Sequence, residues 1–185
     1  MKVAIIGARA GRFGLGSATL QEFSRHGHSV KAFSRSDCNI NDPNWCEVLK
    51  DSYDVIILNA FDRENPMVQL QAFKQLYKRY QHDSRTQLVA IGSMAHYFKI
   101  ETPYEKAKFS LNQFLMRVGK NSLGYECKLC LFEPGSMDSI VPHVTYPMTY
   151  STSEETAQVL RTSVEMNLKF LHVAMRGNRK AHIGG

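Results

Sequence analysis

Residues 2–16, KVAIIGARAGRFGLG, decide the fold. The first five form a short apolar run that is too brief for the hydrophobic region of a signal peptide, so they indicate a buried strand. Glycines at positions 7, 11, 14 and 16 come next, ahead of a helical pattern over about Leu15–Arg25. Glycine permits a tight turn and lets a phosphate approach the backbone N–H groups at a helix start. The stretch therefore predicts a strand, a phosphate-binding turn and a helix.

The rest of the chain repeats this alternation of strand and helix. Further strands are predicted at Ser29–Phe33, Asp54–Leu58, Gln87–Ile91 and Glu126–Phe132, and helices at Asp42 to about Lys50, Met67–Tyr80, Pro103–Val118 and Thr152 to about Met175. Alternating strands and helices imply βαβ units, and 185 residues are too few for two ordinary domains. We therefore predict an α/β fold over residues 1–185: a single Rossmann-like, doubly wound parallel sheet with helices on both faces.

Composition narrows the class of protein. A hydrophobic content of 43% with 22% charged residues is typical of a globular chain, and no apolar run of ~18 residues predicts a membrane span. The four cysteines favour reduced thiols and a cytoplasmic location; the odd spacing of Cys127 and Cys130 in a predicted strand places them on opposite faces. No helix carries a long basic stripe, so an anionic cofactor explains part of the +6 charge better than nucleic acid does.

Ser34 and Arg35 close the second predicted strand. In sheets of this kind ligands bind beyond the carboxyl ends of the strands. An acidic residue at this position would accept a hydrogen bond from the ribose 2′-hydroxyl of NAD, whereas an arginine accommodates the 2′-phosphate of NADP. The acid is missing here and the guanidinium is present, so NADP(H) is favoured over NAD(H). Arg9 and Arg12 in the glycine-rich turn are candidates to assist.

Tyr104 and Lys108 form a Tyr-x-x-x-Lys pair eleven residues after Ser93. Positions i and i+4 share one face of a helix, so the phenol and the ammonium can lie side by side. A free phenol has a pKa near ~10, and an adjacent cation favours the phenolate and lowers that pKa. Ser93 can hold a substrate oxygen beside the phenol. The three residues therefore predict a site for proton transfer to or from a substrate oxygen.

Taken together, these motifs resemble the short-chain dehydrogenase/reductase family over nearly the whole chain. Gly14-Leu-Gly16 is similar to the Gly-Ile-Gly that binds pyrophosphate in that family, and Asn59-Ala60-Phe61 is similar to its Asn-Ala-Gly motif. Ile91-Gly92-Ser93 resembles the strand that delivers the catalytic serine, and Tyr104 and Lys108 resemble the catalytic pair. Pro134-Gly135 is similar to the segment that packs the nicotinamide.

The resemblance implies an NADP(H)-dependent oxidoreductase that transfers a hydride to or from a small carbonyl or alcohol substrate. Tyr104 would donate or accept the proton, Lys108 would lower its pKa and hold the nicotinamide ribose, and Ser93 would orient the substrate oxygen. The implied cofactor-binding residues are Gly7, Arg9, Gly11, Arg12, Phe13, Gly14, Ser34, Arg35, Asn39, Asn59, Ala60, Phe61, Lys108, Pro134, Gly135, Ser136 and Met137. A homodimer or homotetramer through the helices at Met67–Tyr80 and Pro103–Val118 is also implied.

The chain departs from the family pattern in several places. Extra residues lie in the glycine turn, Phe61 replaces a glycine, and the spacing from Ser93 to Tyr104 is shorter than usual. A supporting asparagine is not evident, and Gln69 lies nearest to its place. The segment between Gly135 and Glu154, which carries substrate specificity in the family, is small. Two alternatives therefore stay open: a non-catalytic NADP-binding sensor or partner-binding module, and an enzyme similar to nucleotide-sugar epimerases or dehydratases.

Overall fold

The centre of the fold is a sheet of six parallel strands. A computed structural model of the protein describes residues 1–11, 13–97, 100–121, 124–137, 148–177 and 179–181. Within these ranges the strands are β1 Lys2–Ile6, β2 Ser29–Phe33, β3 Val55–Leu58, β4 Gln87–Ile91, β5 Lys128–Pro134, β6 Met148–Tyr150, β7 Phe170–Met175 and β8 Arg179–Ala181. The six-stranded sheet has the order β2-β1-β3-β4-β5-β7, and β6 pairs with β8 in a separate antiparallel ribbon. The parallel sheet predicted from the alternation of elements is confirmed.

Helices cover both faces of this sheet. They are α1 Leu15–Arg25, α2 Val68–Tyr80, α3 Pro103–Lys120 and α4 Ser153–Glu165. Apolar side chains of α2 and α3 pack on one face, and those of α1 and α4 pack on the other, so two hydrophobic cores flank the strands. Because the central strands are buried on both faces, their sequences are continuous apolar runs rather than alternating ones. Cys127 and Cys130 lie in opposite cores, as their spacing predicted.

Capping motifs begin two of the helices. The Thr102 side chain accepts from the backbone N–H of Glu105, and the Glu105 carboxylate accepts from that of Thr102, so α3 begins with a capping box followed by Pro103. Thr152 and Glu155 form the same motif at the start of α4. Each box satisfies backbone donors that a helix would otherwise leave unpaired. For α3 it also fixes the turn that carries Tyr104.

Two predicted helices are wrong in extent. The helix predicted to about Met175 ends at Glu165, because Asn167 adopts a left-handed φ of 55° and the apolar segment after it pairs with β5 as β7. The helix predicted from Asp42 is only a 3₁₀ turn at Trp45–Val48. The Asp42 carboxylate accepts from the backbone of Asn44, which favours a turn over a helix.

The chain reverses its direction of travel through the sheet at β1, which lies between β2 and β3. A crevice opens at the carboxyl ends of strands at such a point. The backbone N–H groups of Asn59 and Ala60 donate to the carbonyl of Ile6, and that of Gly7 donates to the carbonyl of Phe33. These bonds bring the turns after three strands to one place. No helix in the described ranges is both long and apolar enough to cross a membrane.

The close approach of Gly7 to Ala60 makes a prediction about stability. Gly7 has a φ of +88°, and a Cβ at this position would lie 2.5 Å from the Ala60 Cα. Gly7→Ala is therefore expected to lower the free energy of unfolding by about 3 kcal/mol, measured by urea denaturation. Gly27→Ala is the matched control, because Gly27 has a φ of +78° with no atom within 4 Å of the added carbon. It should cost about 1 kcal/mol, and equal losses in the two variants would contradict the steric argument.

Candidate active site

Three neighbouring recesses lie along the carboxyl edge of the sheet, and together they are called the trough. Their volumes are about 480 Å³ beside the glycine turn, about 540 Å³ in the middle and about 800 Å³ beside α3. The first and second share the residues Gly7, Phe13, Arg35 and Asn59, and the second and third share Phe61 and Arg63. Recesses of this size are typical of ligand sites. The trough therefore provides space for an elongated ligand near β1, where the chain reverses its direction through the sheet.

The first recess is built by glycines. Gly14, with a φ of 123°, precedes α1, whose first turn has neither a capping side chain nor an acidic residue. A Cβ on Gly16 would lie 2.6 Å from the carbonyl oxygen of Gly7, so only glycine lets α1 approach β1 this closely. The Asn59 side chain donates to that same carbonyl at 2.8 Å. The helix start is thus held open toward the recess, where its N–H groups can bind an anion.

Arg35 lies between the first and second recesses. Its side chain is 72% exposed, and Nη2 donates to Oδ2 of the buried Asp62 at 3.0 Å. The same carboxylate accepts from Asn41 at 2.6 Å and from the backbone of Glu64 at 3.0 Å. The hydrogen bond from Asn41 is the main cause that holds the pKa of Asp62 below its usual value, and Arg35 adds to it. Asp62 is therefore a carboxylate that holds the guanidinium at the edge of the trough.

Ser93 and Tyr104 line the third recess together. Ser93 is buried and its Oγ accepts from the backbone of Ala95 at 3.2 Å, while Tyr104 keeps 38% of its surface exposed. Loss of hydration is the main cause that raises the pKa of the Tyr104 phenol, and a hydrogen bond with Ser93 opposes it. The prediction that this pKa is lowered is wrong, because desolvation outweighs the Ser93 bond. A protonated phenol therefore faces the recess at neutral pH.

Lys108 lies behind the wall of this recess and is 4% exposed. Its Nζ donates to Oε1 of Gln69 at 2.7 Å and to the carbonyl of Ile91 at 2.9 Å. It also lies 5.0 Å from the centroid of the Phe61 ring and 5.6 Å from that of Tyr104. Burial lowers the pKa of Lys108 to about 7, against the opposing negative charge of Glu133. The i, i+4 spacing did bring the side chains of Tyr104 and Lys108 together, but Lys108 donates its hydrogen bonds to Gln69 and Ile91.

Phe61 fills the position where the family motif has glycine. Its ring packs edge-on against Tyr104, with centroids 5.1 Å apart and planes at 84°. Such a contact is favourable for aromatic pairs. Phe61 also borders both the second and the third recess, so its ring lies where these two recesses meet, beside Tyr104.

The structure brings most of the predicted cofactor-binding residues to the trough. Gly7, Arg9, Phe13, Gly14, Ser34, Arg35 and Asn59 line the first recess, Asn39, Ala60 and Phe61 the second, and Gly135, Ser136 and Met137 the third. Gly11 borders a smaller neighbouring recess with Phe13, and Pro134 ends β5 below the third. Arg12 lies outside the described residues.

Sequence reasoning missed Asp62 and Glu133. Asp62 directly follows the Asn59-Ala60-Phe61 motif, so its position could have marked it as part of the site. Glu133 is completely buried, and it lies between the apolar run Leu129–Phe132 and Pro134-Gly135. A lone acid in such a strand is rarely buried without partners, which is the signal that would have found it.

Solved structures share this architecture, although no family model and no curated protein matches the sequence. A 3-alpha-hydroxysteroid dehydrogenase from Pseudomonas sp. B-0831, complexed with NADH, has a TM-score of 0.69 at 16% identity over 94% of this chain and 95% of that one. A short-chain dehydrogenase/reductase from Vibrio parahaemolyticus has a TM-score of 0.66 at 15% identity, over 94% of this chain and 100% of that one. A dTDP-4-dehydrorhamnose reductase from Bacillus anthracis, in complex with NADP, has a TM-score of 0.71 at 13% identity, over 95% of this chain and 76% of that one.

The chain therefore has the fold of the short-chain dehydrogenase/reductases, as its motifs predicted. TM-scores of 0.66–0.71 establish the fold, whereas identities of 13–16% leave the chemistry to the side chains of the site.

The buried state of Lys108 makes a prediction about the pH dependence of stability. Its pKa falls from 10.5 to about 7 on folding, so between these values the unfolded chain binds more protons than the folded one. This residue's contribution to the free energy of unfolding should therefore rise with pH across that window, by at most about 1.4 kcal/mol per pH unit. Below pH 7 it should be flat.

The measurement is urea denaturation of the wild type and of Lys108→Met at several pH values. Loss of the two hydrogen bonds gives a constant offset, so the diagnostic quantity is the slope of the difference between the two proteins against pH. Lys106→Met, at an exposed position two residues away, is the control and should show no such slope. A flat difference from pH 7 to 10 for Lys108→Met would mean that Lys108 is not buried as described.

Proposed function

We propose that the protein is an NADP(H)-dependent oxidoreductase that transfers a hydride between the cofactor and a small carbonyl or alcohol substrate. One observation carries the proposal: neighbouring recesses that share lining residues extend from a glycine-built helix start to a recess in which Ser93 and Tyr104 lie together. The first end suits a pyrophosphate and the other suits a substrate oxygen. Two of the similar structures contain NADH or NADP, which supports a nicotinamide cofactor in the same fold.

The residues of the trough fit this cofactor. Added carbons on Gly7 or Gly16 would collide with backbone or side-chain atoms beside the first recess, so the turn that would hold the phosphates depends on both glycines. Gly135, Ser136 and Met137 line the third recess, where they would pack against the nicotinamide. When bound, the nicotinamide supplies or accepts the hydride.

The protonation states favour carbonyl reduction as the direction of reaction. A phenol with a raised pKa stays protonated at neutral pH and can donate its proton to a carbonyl oxygen held by Ser93. The Lys108 ammonium, 5.6 Å from the centre of the Tyr104 ring, then offsets the negative charge that the phenolate acquires. Activity in this direction should require Lys108 in its charged form.

The preference for NADP(H) rests on Arg35. Its guanidinium is exposed at the boundary of two recesses, and no acidic residue closes β2. Asp62 holds it by an ion pair at the edge of the trough, and a guanidinium held there would be available to bind a 2′-phosphate. The four cysteines are free thiols, and this supports a cytoplasmic location.

A binding module without turnover is the second candidate function. The observation that favours it is that Lys108 donates to Gln69 and to the carbonyl of Ile91, while the ring of Phe61 packs against that of Tyr104. Such a module would bind NADPH through the first two recesses and leave it unchanged. Measuring NADPH binding and NADPH oxidation separately distinguishes the two candidates.

Tyr104→Phe tests the catalytic assignment. The variant should lose about 10²–10⁴-fold in kcat, because it cannot donate a proton, and its dissociation constant for NADPH should stay nearly the same. The measurement is NADPH absorbance with a panel of aldehydes, ketones and quinones, together with calorimetric titration of NADPH. Tyr80→Phe, on α2 away from the trough, is the control. Unchanged turnover in Tyr104→Phe would refute the role, and binding without turnover in the wild type would establish the module.

Arg35→Ala tests the cofactor preference. Removal of a guanidinium from a phosphate should weaken NADPH binding by roughly 10- to 100-fold, the equivalent of about 1.5–3 kcal/mol. The affinity for NADH should change little, since NADH lacks the 2′-phosphate. Arg85→Ala is the control, because Arg85 is exposed and pairs with Asp83 instead. Equal losses for the two cofactors would show that Arg35 does not select NADP.

A further inference from the structure

Glu133 is the most deeply buried acid of the site and has no part in the chemistry proposed above. It lies in β5 directly before Pro134, and none of its surface is exposed. A carboxylate without water must be compensated by donors. Its Oε2 accepts from Tyr97 at 2.7 Å, from Asn112 at 3.1 Å and from Nε2 of His172 at 2.7 Å. Since a carboxylate can only accept, the histidine nitrogen is the donor here.

These partners come from three different segments of the chain. Tyr97 belongs to the 3₁₀ turn Met94–Tyr97 that follows Ser93, Asn112 to α3, and His172 to β7. Asn112 lies one turn after Lys108 on the same helix. A single carboxylate therefore connects the turn 93–97, called the serine turn below, with α3 and β7.

The other oxygen of Glu133 points at a second buried group of the serine turn. Oε1 lies 3.6 Å from Nδ1 of His96, and neither atom has a hydrogen-bond partner among the described residues. The His96 ring stacks on that of Tyr97, with centroids 4.2 Å apart. The serine turn thus faces Glu133 with two side chains, one bonded and one within reach of a small movement.

Glu133 also lies next to the backbone that holds Lys108. A Cβ on Gly92 would be 2.7 Å from Cγ and 3.0 Å from Oε1 of Glu133, so the absence of a side chain at Gly92 makes room for the carboxylate. The carbonyl of Ile91, one residue earlier, accepts from Lys108. The acid and the ammonium therefore flank the same end of β4. The groups that face Lys108 from the packed elements are Gln69, Phe61, Tyr104, the carbonyl of Ile91 and Glu133.

We propose that Glu133 is a positioning residue of this site, whose buried carboxylate fixes the serine turn and serves as the counter-charge of Lys108. Its role in turnover rests on the proposed function; its position beside the end of β4, where the carbonyl of Ile91 holds Lys108, does not. Two properties follow: removing the charge destabilises the ammonium, and removing a hydrogen bond loosens the turn that carries Ser93. Each is measurable by itself.

Glu133→Gln tests the counter-charge, since it keeps the size of the side chain and removes its charge. The titration midpoint of Lys108, followed by NMR of ¹³C-labelled lysine and assigned with Lys108→Met, should move down by about one pH unit. The protonated fraction at pH 7 then falls from about half to about a tenth, so kcat should fall about fivefold and the alkaline limb of its pH profile should shift equally. Glu126→Gln, at an exposed position before β5, should change neither quantity.

An unchanged Lys108 midpoint in Glu133→Gln would overturn the counter-charge role. The NMR measurement needs no substrate, so a wild type without turnover on any panel compound overturns the proposed function and still leaves the midpoint to decide about Glu133. A shifted midpoint with an unchanged kcat profile would show that Glu133 stabilises the protonated form of Lys108 but that this charge does not serve turnover. That result would overturn the positioning role.

Tyr97→Phe tests the connection to the serine turn without touching the charge, and it carries the proposal if Glu133→Gln does not fold. Tyr97 is half-exposed, so the loss of its hydroxyl leaves the core intact. Amide hydrogen exchange at residues 93–97 should accelerate by about tenfold or more, because a hydrogen bond to a charged acceptor is lost. The Lys108 midpoint should stay in place. Exchange rates equal to those of the wild type and of Tyr80→Phe would overturn the fixing of the turn.

Discussion

The carbonyl oxygen of Ile91 is the point on which the arrangement of the site depends. It ends β4 and accepts hydrogen bonds from Lys108 on α3 and from Gln69 on α2. A buried ammonium without partners is very costly, so α3 has to pack where Lys108 can reach this oxygen. Ser93 follows two residues later along the chain, and Tyr104 lies one helical turn before Lys108. One backbone acceptor therefore sets the relative positions of all three residues of the proposed triad.

The spacing of two residues along a helix and the burial of their side chains both determine such a site. Only the spacing can be deduced directly from the sequence. The i, i+4 separation of Tyr104 and Lys108 correctly predicted that both side chains reach one region. It could not show that both groups would be desolvated, and the burial of each group lowers the pKa of Lys108 and raises that of Tyr104. Burial depends on Phe61, Gln69 and β5, which lie far away in the sequence. The electrostatics of the pair thus differ from the sequence prediction although the geometry agrees.

The same division explains which parts of the fold were predictable. The central parallel strands β1, β3, β4 and β5 were found because burial on both faces requires continuous apolar runs. The start of α4 was found because its capping box is a local pattern. The end of α4 was missed, since the segment Phe170–Met175 is read as helix or strand with equal ease until its pairing with β5 is known. Glu133 was missed for a related reason. Its partners Tyr97, Asn112 and His172 are separated from it by 36, 21 and 39 residues, so no local pattern announces them.

A buried acid inside β5 destabilises the fold unless its hydrogen-bond partners compensate for the lost hydration. The surroundings of Glu133 indicate why an acid is present there. Gly92 leaves the space, and donors from three segments converge on one oxygen. An apolar residue at position 133 would fill the same space with less penalty, because a hydrophobic replacement of buried charge is often neutral or stabilising. Packing alone therefore gives no reason for an acid at this position. The reason has to come from the groups around the carboxylate, which in the described part of the site are His172 at 2.7 Å, His96 at 3.6 Å and the buried Lys108. Of these, Lys108 is the group whose charged form burial disfavours and the negative charge of Glu133 favours.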